Sequence, residues 1–381
     1  MNKYKIKDYN IRLVLEVLIL TAFGIVVIGS QSSYYAKRQI IGLIIGFVVM
    51  IAVSLFDYDI LMKPVILYTI YLGTIGILGI ILLPVFGHSS HGAQRWISIG
   101  GFTFQPSELA KILLIICMAY YFGKKEEKIN EVRTIIYALL IIGIPLALIF
   151  KQPDLSTTIV TFVVFAFMFM IAGLSYRLIG IILAIVVPST IAGLAFIVSK
   201  GDKLKIFQGD HRYQYIRIMA WLRPEEFGDK AIQQRNSKMA IGSGQLFGKG
   251  LYNQDVSSLK NGNFISESHT DFINAIVGES LGFVGCMVII IMLLIICFEC
   301  IGIAKRCKDL QGTLIASGMA ALIMTQSFVN IGVTTGLLPN TGLSLPFISY
   351  GLTSLVSMYI GIGLVLNVGL HPAKRRTGVI R

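Results

Sequence analysis

The segment "ESHTDFINAIVGESLG" sets three ionisable side chains, Glu267, His269 and Asp271, immediately ahead of a long apolar run. A carboxylate at the edge of a bilayer is partly desolvated, which raises its pKa toward a range useful for taking a proton. Asp271 is therefore a candidate general base. His269, which titrates nearer neutrality, is its rival. The two stand at i, i+2 and do not share a helix face, so the spacing favours a single base over a coupled pair. A structural reading competes: Asp271 caps the helix that follows, where the N-terminal dipole favours a carboxylate. The local sequence leaves both readings open.

Other stretches also carry chemistry. In "FQPSELAKILL", Ser107 follows Pro106 at a helix start, and Glu108 and Lys111 share a face at i, i+3. A lysine inside a membrane span costs roughly 2.5–3.5 kcal/mol, and pairing with Glu108 lowers that cost. Lys111 is either half of a structural ion pair or a cation facing a cavity that holds an anionic substrate. "HGAQRWISIGG" places Arg95 beside Trp96, a pair suited to interface anchoring or to gripping a phosphate or sugar. In "HRYQYIRIMAWLRPEE", Tyr215, Met219 and Leu222 recur at helical spacing, as do Ile218 and Trp221. This pattern predicts a helix lying in the membrane interface, with Arg212 and Arg217 as candidate anion contacts. "GLLPNTGLSLPFISYGLTS" is irregular backbone next to a span, tolerated only where it is buried in protein or lines a wet cavity. Ser349 in that wall is a candidate substrate contact. "IGSGQLFGKG" is no phosphate loop, because Gly250 and not Ser or Thr follows Lys249. ATP hydrolysis is not expected. No HExxH, CxxC or nucleophile elbow is present.

The elements that must position these residues are membrane spans. The chain has 381 residues, 55% of them hydrophobic and only 14% charged, against about 25% charged in soluble domains. Its mean hydropathy is +0.76. A span needs about 20 apolar residues, and such runs recur near 13–30, 39–56, 61–83, 107–123, 134–150, 154–173, 178–198, 273–299, 311–332 and 349–370. The predicted fold class is all-α: a polytopic integral membrane protein of about ten helices. Residues 1–381 are expected to form one domain, with large extracellular loops at 84–106 and 200–270. "KQPD" (Lys151 to Asp154) splits one long apolar stretch into two spans.

The formal net charge is +13, but the basic residues form no single patch, so nucleic acid is not the partner. Lys3, Lys5, Lys7, Arg12, Lys63, Lys124, Lys125, Lys128, Arg133, Arg177, Lys305, Arg306, Lys308, Lys374, Arg375, Arg376 and Arg381 fall on one side of the expected topology. The other side's short loops hold Lys37, Arg38, Arg95 and Lys151. By the positive-inside rule both termini are cytoplasmic. The five cysteines are placed without an exterior pair or metal-ligand company, so no disulfide is expected.

Six stretches, in order, resemble the SEDS family of RodA, FtsW and SpoVE: "GAQRWISIG", "FQPSELAK", "KQPDLSTT", "AIGSGQLFGKGL", "SHTDFINAIVGESLGFVG" and "LPNTGLSLPFISYG". The resemblance implies ten transmembrane helices in the bacterial cytoplasmic membrane. It implies a peptidoglycan glycosyltransferase that polymerises lipid II into glycan strands outside that membrane, with inversion, for elongation, division or spore cortex. A class B penicillin-binding protein is the implied partner, alongside membrane lipids. It makes Asp271 catalytic and carries Arg38, Arg95, Trp96, Glu108, Lys111 and Asp154 to family motif positions. A divalent cation, Mg2+ or Mn2+, is the candidate cofactor beside the leaving pyrophosphate. The family pattern "SYGGSS" reads "SYGLTS" here, so Leu352 adds a side chain where glycine is usual. Two rival classes are a lipid-linked precursor flippase, which would place its site at the midplane with repeat symmetry, and a non-catalytic membrane scaffold. No repeat is evident, and the polar motifs cluster on one face.

Overall fold

The computed structural model describes residues 9–82, 88–90, 93–99, 102–200, 212–253, 264–307 and 309–371. In chain order the elements are α1 (Ile11–Gly29), α2 (Ser33–Leu55), α3 (Tyr58–Leu61) and α4 (Pro64–Ile81), then β1 (His88–Ser90), β2 (Ala93–Ile99) and β3 (Phe102–Phe104). They continue with α5 (Pro106–Lys124), α6 (Val132–Lys151), α7 (Leu155–Ala172), α8 (Tyr176–Lys200), α9 (Arg212–Leu222), α10 (Gly228–Ser243), α11 (Ile273–Arg306), α12 (Leu310–Thr334) and α13 (Leu352–Leu370). Among the described residues nine helices are long and apolar enough to cross a membrane. The 25-residue α8 fills the remaining expected position. The chain is thus a polytopic helical membrane protein, as its apolar runs predict. The three-stranded antiparallel sheet β1-β2-β3 is an addition that the apolar runs did not signal.

The spans are not equivalent. The apolar windows of α12, α5 and α13 are largely buried, whereas α2, α4 and α6 bury under a third of theirs. Exposed Ile44, Val48, Tyr68 and Leu72 face outward from α2 and α4, which is the surface a lipid bilayer covers. α2 and α13 run parallel: Gln39 near the start of α2 bonds Ser349 and Gly351, while Ser54 near its end bonds Asn367. Small residues let their backbones approach. Leu352, the departure from the family pattern, puts its Cδ2 against Gly42 of α2, 2.8 Å from where a Cβ there would stand. Its side chain therefore fills the helix seam.

α11 is two helices in one. Gly282, at φ 68° and ψ −161°, breaks it. A break of this kind exposes backbone groups that a bilayer cannot satisfy. The loop at 245–250 satisfies them: Phe283 and Val284 donate to the carbonyls of Gln245 and Leu246, and Lys249 and Gly250 donate to those of Glu279 and Ser280. Lys249 also pairs with buried Glu279 at 3.1 Å. The glycine-rich "IGSGQLFGKG" is therefore a splice for α11. This gives the backbone N–H groups of a segment that is no phosphate loop a structural task.

α10 was not legible from apolar periodicity. Its inward face is polar because it caps another helix. Gln234 donates to the carbonyls of Val333 and Leu338, and Ser237 donates to that of Thr334. Val333 and Thr334 belong to the last turn of α12, whose carbonyls lack helix partners, and Leu338 to the turn beyond it. α9 also departs from expectation. Tyr215, Ile218 and Met219 are buried in protein, and the Trp221 indole donates to the Gly336 carbonyl at 3.0 Å. The apolar face predicted to lie in lipid is packed on the protein.

Candidate functional site

The turn at 264–272 reaches α11 with Asp271 just outside the helix. The N-cap is Phe272, which offers no side-chain acceptor, so Asp271 does not occupy the capping position. The turn is held from several directions. Asn330 of α12 donates to the Asp271 carbonyl at 2.8 Å and to the Leu343 carbonyl at 2.6 Å. Ser349 donates to the Thr270 carbonyl and accepts from the Leu345 N–H, both at 2.7 Å. Tyr350 donates its N–H to the His269 carbonyl at 2.9 Å. Glu267 adopts φ +56° and Phe347 φ +66°, conformations that cost non-glycine residues about 1–3 kcal/mol each and persist only where the surroundings enforce them.

Above this turn stands Gly342, at φ +77°. A Cβ there would lie 3.2 Å from the Asp271 Oδ2 and 3.3 Å from an Arg217 guanidinium nitrogen. Both charged groups thus crowd the one face of Gly342 that a side chain would fill. From Arg217 a small crevice opens, lined in part by Arg95, Ser156, Gln214, Asn340 and Thr341. Arg217, Arg95 and Asp271 are therefore brought together. Among the described residues the crevice lining does not include Arg212, which is exposed at the start of α9.

Arg95 braces the "KQPD" turn. Its guanidinium donates to the Gln152 carbonyl at 3.2 Å and to the Pro153 carbonyl, and lies 3.7 Å from Asp154. Asp154 in turn caps α7 by accepting from the Thr157 N–H at 3.1 Å, and accepts from the Gln105 amide at 3.2 Å. Trp96 pairs with His88 across the sheet and is half-buried. Lys111 is 1% exposed and Glu108 4%. The Lys111 ammonium donates to Glu108 at 2.8 Å and to Gln326 at 2.9 Å, and the Gln326 amide donates to the Ser344 carbonyl at 3.0 Å. Of the two readings of Lys111, this geometry fits the structural pair, which anchors the wall from below. Ser349, with its hydroxyl engaged on both sides, likewise holds the wall.

His269 is an aromatic contact. Its ring stacks on Tyr35 at 4.0 Å and 14°, with Tyr350 at 5.6 Å. Burial pushes the imidazole below its ordinary pKa, and Glu267 opposes this only in part. The lowered pKa makes His269 a weaker base, and its stacking on Tyr35 engages the face of the ring. Arg38 lies over the Tyr34 ring at 5.6 Å, and its charge opposes the burial that raises the Tyr350 hydroxyl.

Sequence reasoning passed over Gln326, Asn330, Ser156 and Gly342. The first two carry a usable signal: two amides at i, i+4 inside an apolar span must face protein. Around Asp271 the described residues include no group of three metal-ligating side chains, since the one such group lies at the other end of the bundle. These residues supply the local positive charge through Arg217.

A family model described as cell cycle protein, FTSW_RODA_SPOVE, matches residues 11–374. The chain belongs to this family. As an FtsW/RodA/SpoVE protein it is 36% identical to the probable peptidoglycan glycosyltransferase FtsW of Geobacter metallireducens, covering 97% of this chain and 96% of that one. It is 33% identical to the peptidoglycan glycosyltransferase MrdB of Escherichia coli K12, covering 94% and 92%. Among solved structures, a chain of a peptidoglycan synthase complex that coordinates polymerization and crosslinking superposes with TM-score 0.76 at 25% identity, covering 95% and 97%. Thermus thermophilus RodA superposes at 0.66 with 26% identity, covering 95% and 96%.

Proposed function

We propose that this FtsW/RodA/SpoVE protein is a peptidoglycan glycosyltransferase that polymerises lipid II at the outer face of the cytoplasmic membrane. One observation carries the reading: the Asp271 carboxylate and the Arg217 guanidinium converge on side-chain-free Gly342, and Arg217 also lines the adjacent crevice. Asp271 takes the proton of the acceptor sugar's 4-hydroxyl as that oxygen attacks the anomeric carbon of the donor. The bond from that carbon to the pyrophosphate breaks with inversion, and undecaprenyl pyrophosphate leaves with the electron pair. A base within hydrogen-bond reach and a fixed cation near the departing charge are the two requirements of such a step. Arg217 meets the second, with Arg95 along the crevice and Arg38, over the Tyr34 ring, as further candidates for the phosphates. A divalent cation would supply further positive charge beside the pyrophosphate, although no group of three metal-ligating side chains stands near Asp271 among the described residues.

The sidedness rests on charge. Lys63, Lys124, Lys125, Lys128, Arg133, Arg177, Lys305 and Arg306 all border helix ends opposite Asp271, which the positive-inside rule assigns to the cytoplasm. A class B penicillin-binding protein is the proposed partner, in keeping with the synthase complex that the fold resembles. The test is polymerisation of purified lipid II by the purified chain and by Asp271→Asn. Loss of glycan strands in a folded variant supports the reading. Full activity overturns it, and lipid translocation without polymerisation would reassign the chain as a flippase.

A further inference from the structure

At the end of the bundle opposite Asp271, α2 and α13 finish side by side. α2 alone is 23 residues long, about 35 Å at 1.5 Å per residue, so this end is remote from the crevice. Here Asp57, Asp59 and His371 bring one ligand atom each to within 4.8 Å of one another. The ligands come from opposite ends of the sequence, and their supports are buried. Asn367 is fully buried, donates its amide to the Ser54 carbonyl and accepts from the Tyr58 N–H. The Tyr58 ring meets the His371 ring edge-on at 4.5 Å.

The hydrogen bonds of His371 decide what the cluster asks for. Its Nδ1 lies 3.0 Å from the Asn367 carbonyl, which can only accept, so Nδ1 carries the proton. In the neutral ring Nε2 is then a bare lone pair. It points at Asp57 Oδ1, another acceptor, at 3.2 Å. Asp57 Oδ1 also accepts from the Asp59 N–H at 3.0 Å. Two acceptors face each other, and a positive centre between them resolves the conflict. A proton on Nε2 would supply that centre, and so would a metal ion. A histidine whose Nδ1–H is fixed by a backbone carbonyl, leaving Nε2 to bind, is the usual arrangement of a metal ligand. Asp309, held by the Tyr58 hydroxyl at 3.0 Å and 3.2 Å, adds a further carboxylate to the neighbourhood.

We infer that Asp57, Asp59 and His371 form a binding site for a divalent first-row transition-metal ion that ties the last turn of α13 to the end of α2. One imidazole and two carboxylates suit Mn2+ or Zn2+ better than Mg2+, which prefers an all-oxygen octahedron. Asp59 is exposed and both other ligands are partly so, which leaves open positions for water. The inference stands apart from the glycosyltransferase reading, since none of its ligands lies near the crevice.

The test uses the full chain in detergent, stripped with a chelator and titrated with MnCl2 alone. The expected result is one Mn2+ per chain, a rise of several degrees in Tm, and a nitrogen coupling from one imidazole in the electron spin-echo signal of the bound ion. In His371→Gln the nitrogen coupling disappears and affinity falls at least tenfold. Asp57→Asn weakens binding similarly but keeps the nitrogen signal. The coupling in the wild-type chain is informative even where a variant folds poorly. Mn2+ bound without nitrogen coupling, or no saturable binding together with a Tm that rises as His371 protonates, overturns the metal site and leaves an imidazolium–carboxylate pair.

Discussion

Two charged constellations touch the same irregular wall, residues 339–351, and they differ in access. Lys111 and Glu108 lie beneath it, sealed, with Gln326 relaying their hold to Ser344. Asp271 and Arg217 lie beside it, half-buried, both against the bare face of Gly342. Both place opposite charges near each other in a chain where charge is scarce. A crevice opens beside Arg217 of the second. A buried pair gains little net stability but is costly to break. An accessible base and cation can exchange their solvation for a substrate's developing charge. The difference separates charge that shapes the wall from charge that works across it.

That contrast can be broken by experiment. The largest effect belongs to Asp271→Asn, expected to lower lipid II turnover by about 10²–10⁴-fold, the range for a lost general base, with Tm unchanged within a few degrees. Arg217→Ala should lower turnover by roughly 10²–10³-fold, as removal of a preorganised charge-stabilising group does. A variant with unaltered kcat would leave Arg217 as mere scaffolding. Lys111→Met should act on stability first, costing about 3–5 kcal/mol because Glu108 is left buried and unpaired. Adding Glu108→Gln should recover much of that loss in chemical denaturation. If the double variant regains its Tm yet stays inactive, Lys111 belongs with the working charges and the contrast fails.

The smallest effect concerns His269. Its folded pKa is held below the ordinary 6.5 by burial, so the unfolded chain binds the extra proton first as pH drops. Stability therefore falls as pH decreases from about 6.5 toward the folded value. His269→Phe, which keeps the stack on Tyr35, should abolish that acid sensitivity and change turnover at pH 7.5 by less than about threefold. A large loss of turnover, measured with the same lipid II assay, would return His269 to the list of bases.

The spans were legible because each is an apolar run bounded by charge or proline, and even the "KQPD" break between α6 and α7 fell where a lysine, a proline and an aspartate made it. Asp271 was legible as a lone carboxylate beside such a run. Its partner was not, because Arg217 reaches it only through the fold, from a helix whose apolar stripe read equally well as lipid-facing. α10 escaped because periodicity detects apolar faces, and Gln234 and Ser237 turn a polar face inward onto carbonyls. The small sheet escaped because the loop that carries it was read only for its Arg95–Trp96 pair. Leu352 stood out as an anomaly in the motif, and its explanation lay on another helix, at Gly42.

The splice at Gly282 has a mechanical consequence. Two helix hydrogen bonds are cut there and four to the 245–250 loop are made, so the joint is saturated without being continuous. The outer segment of α11 is fastened to α10 and the wall, and the inner segment is fastened to the bundle within the lipid. No continuous helix ladder therefore links the inner segment to the turn that carries Asp271. The carboxylate is aimed by its own scaffold of Asn330, Ser349 and Tyr350 bonds, on the outer side of that joint.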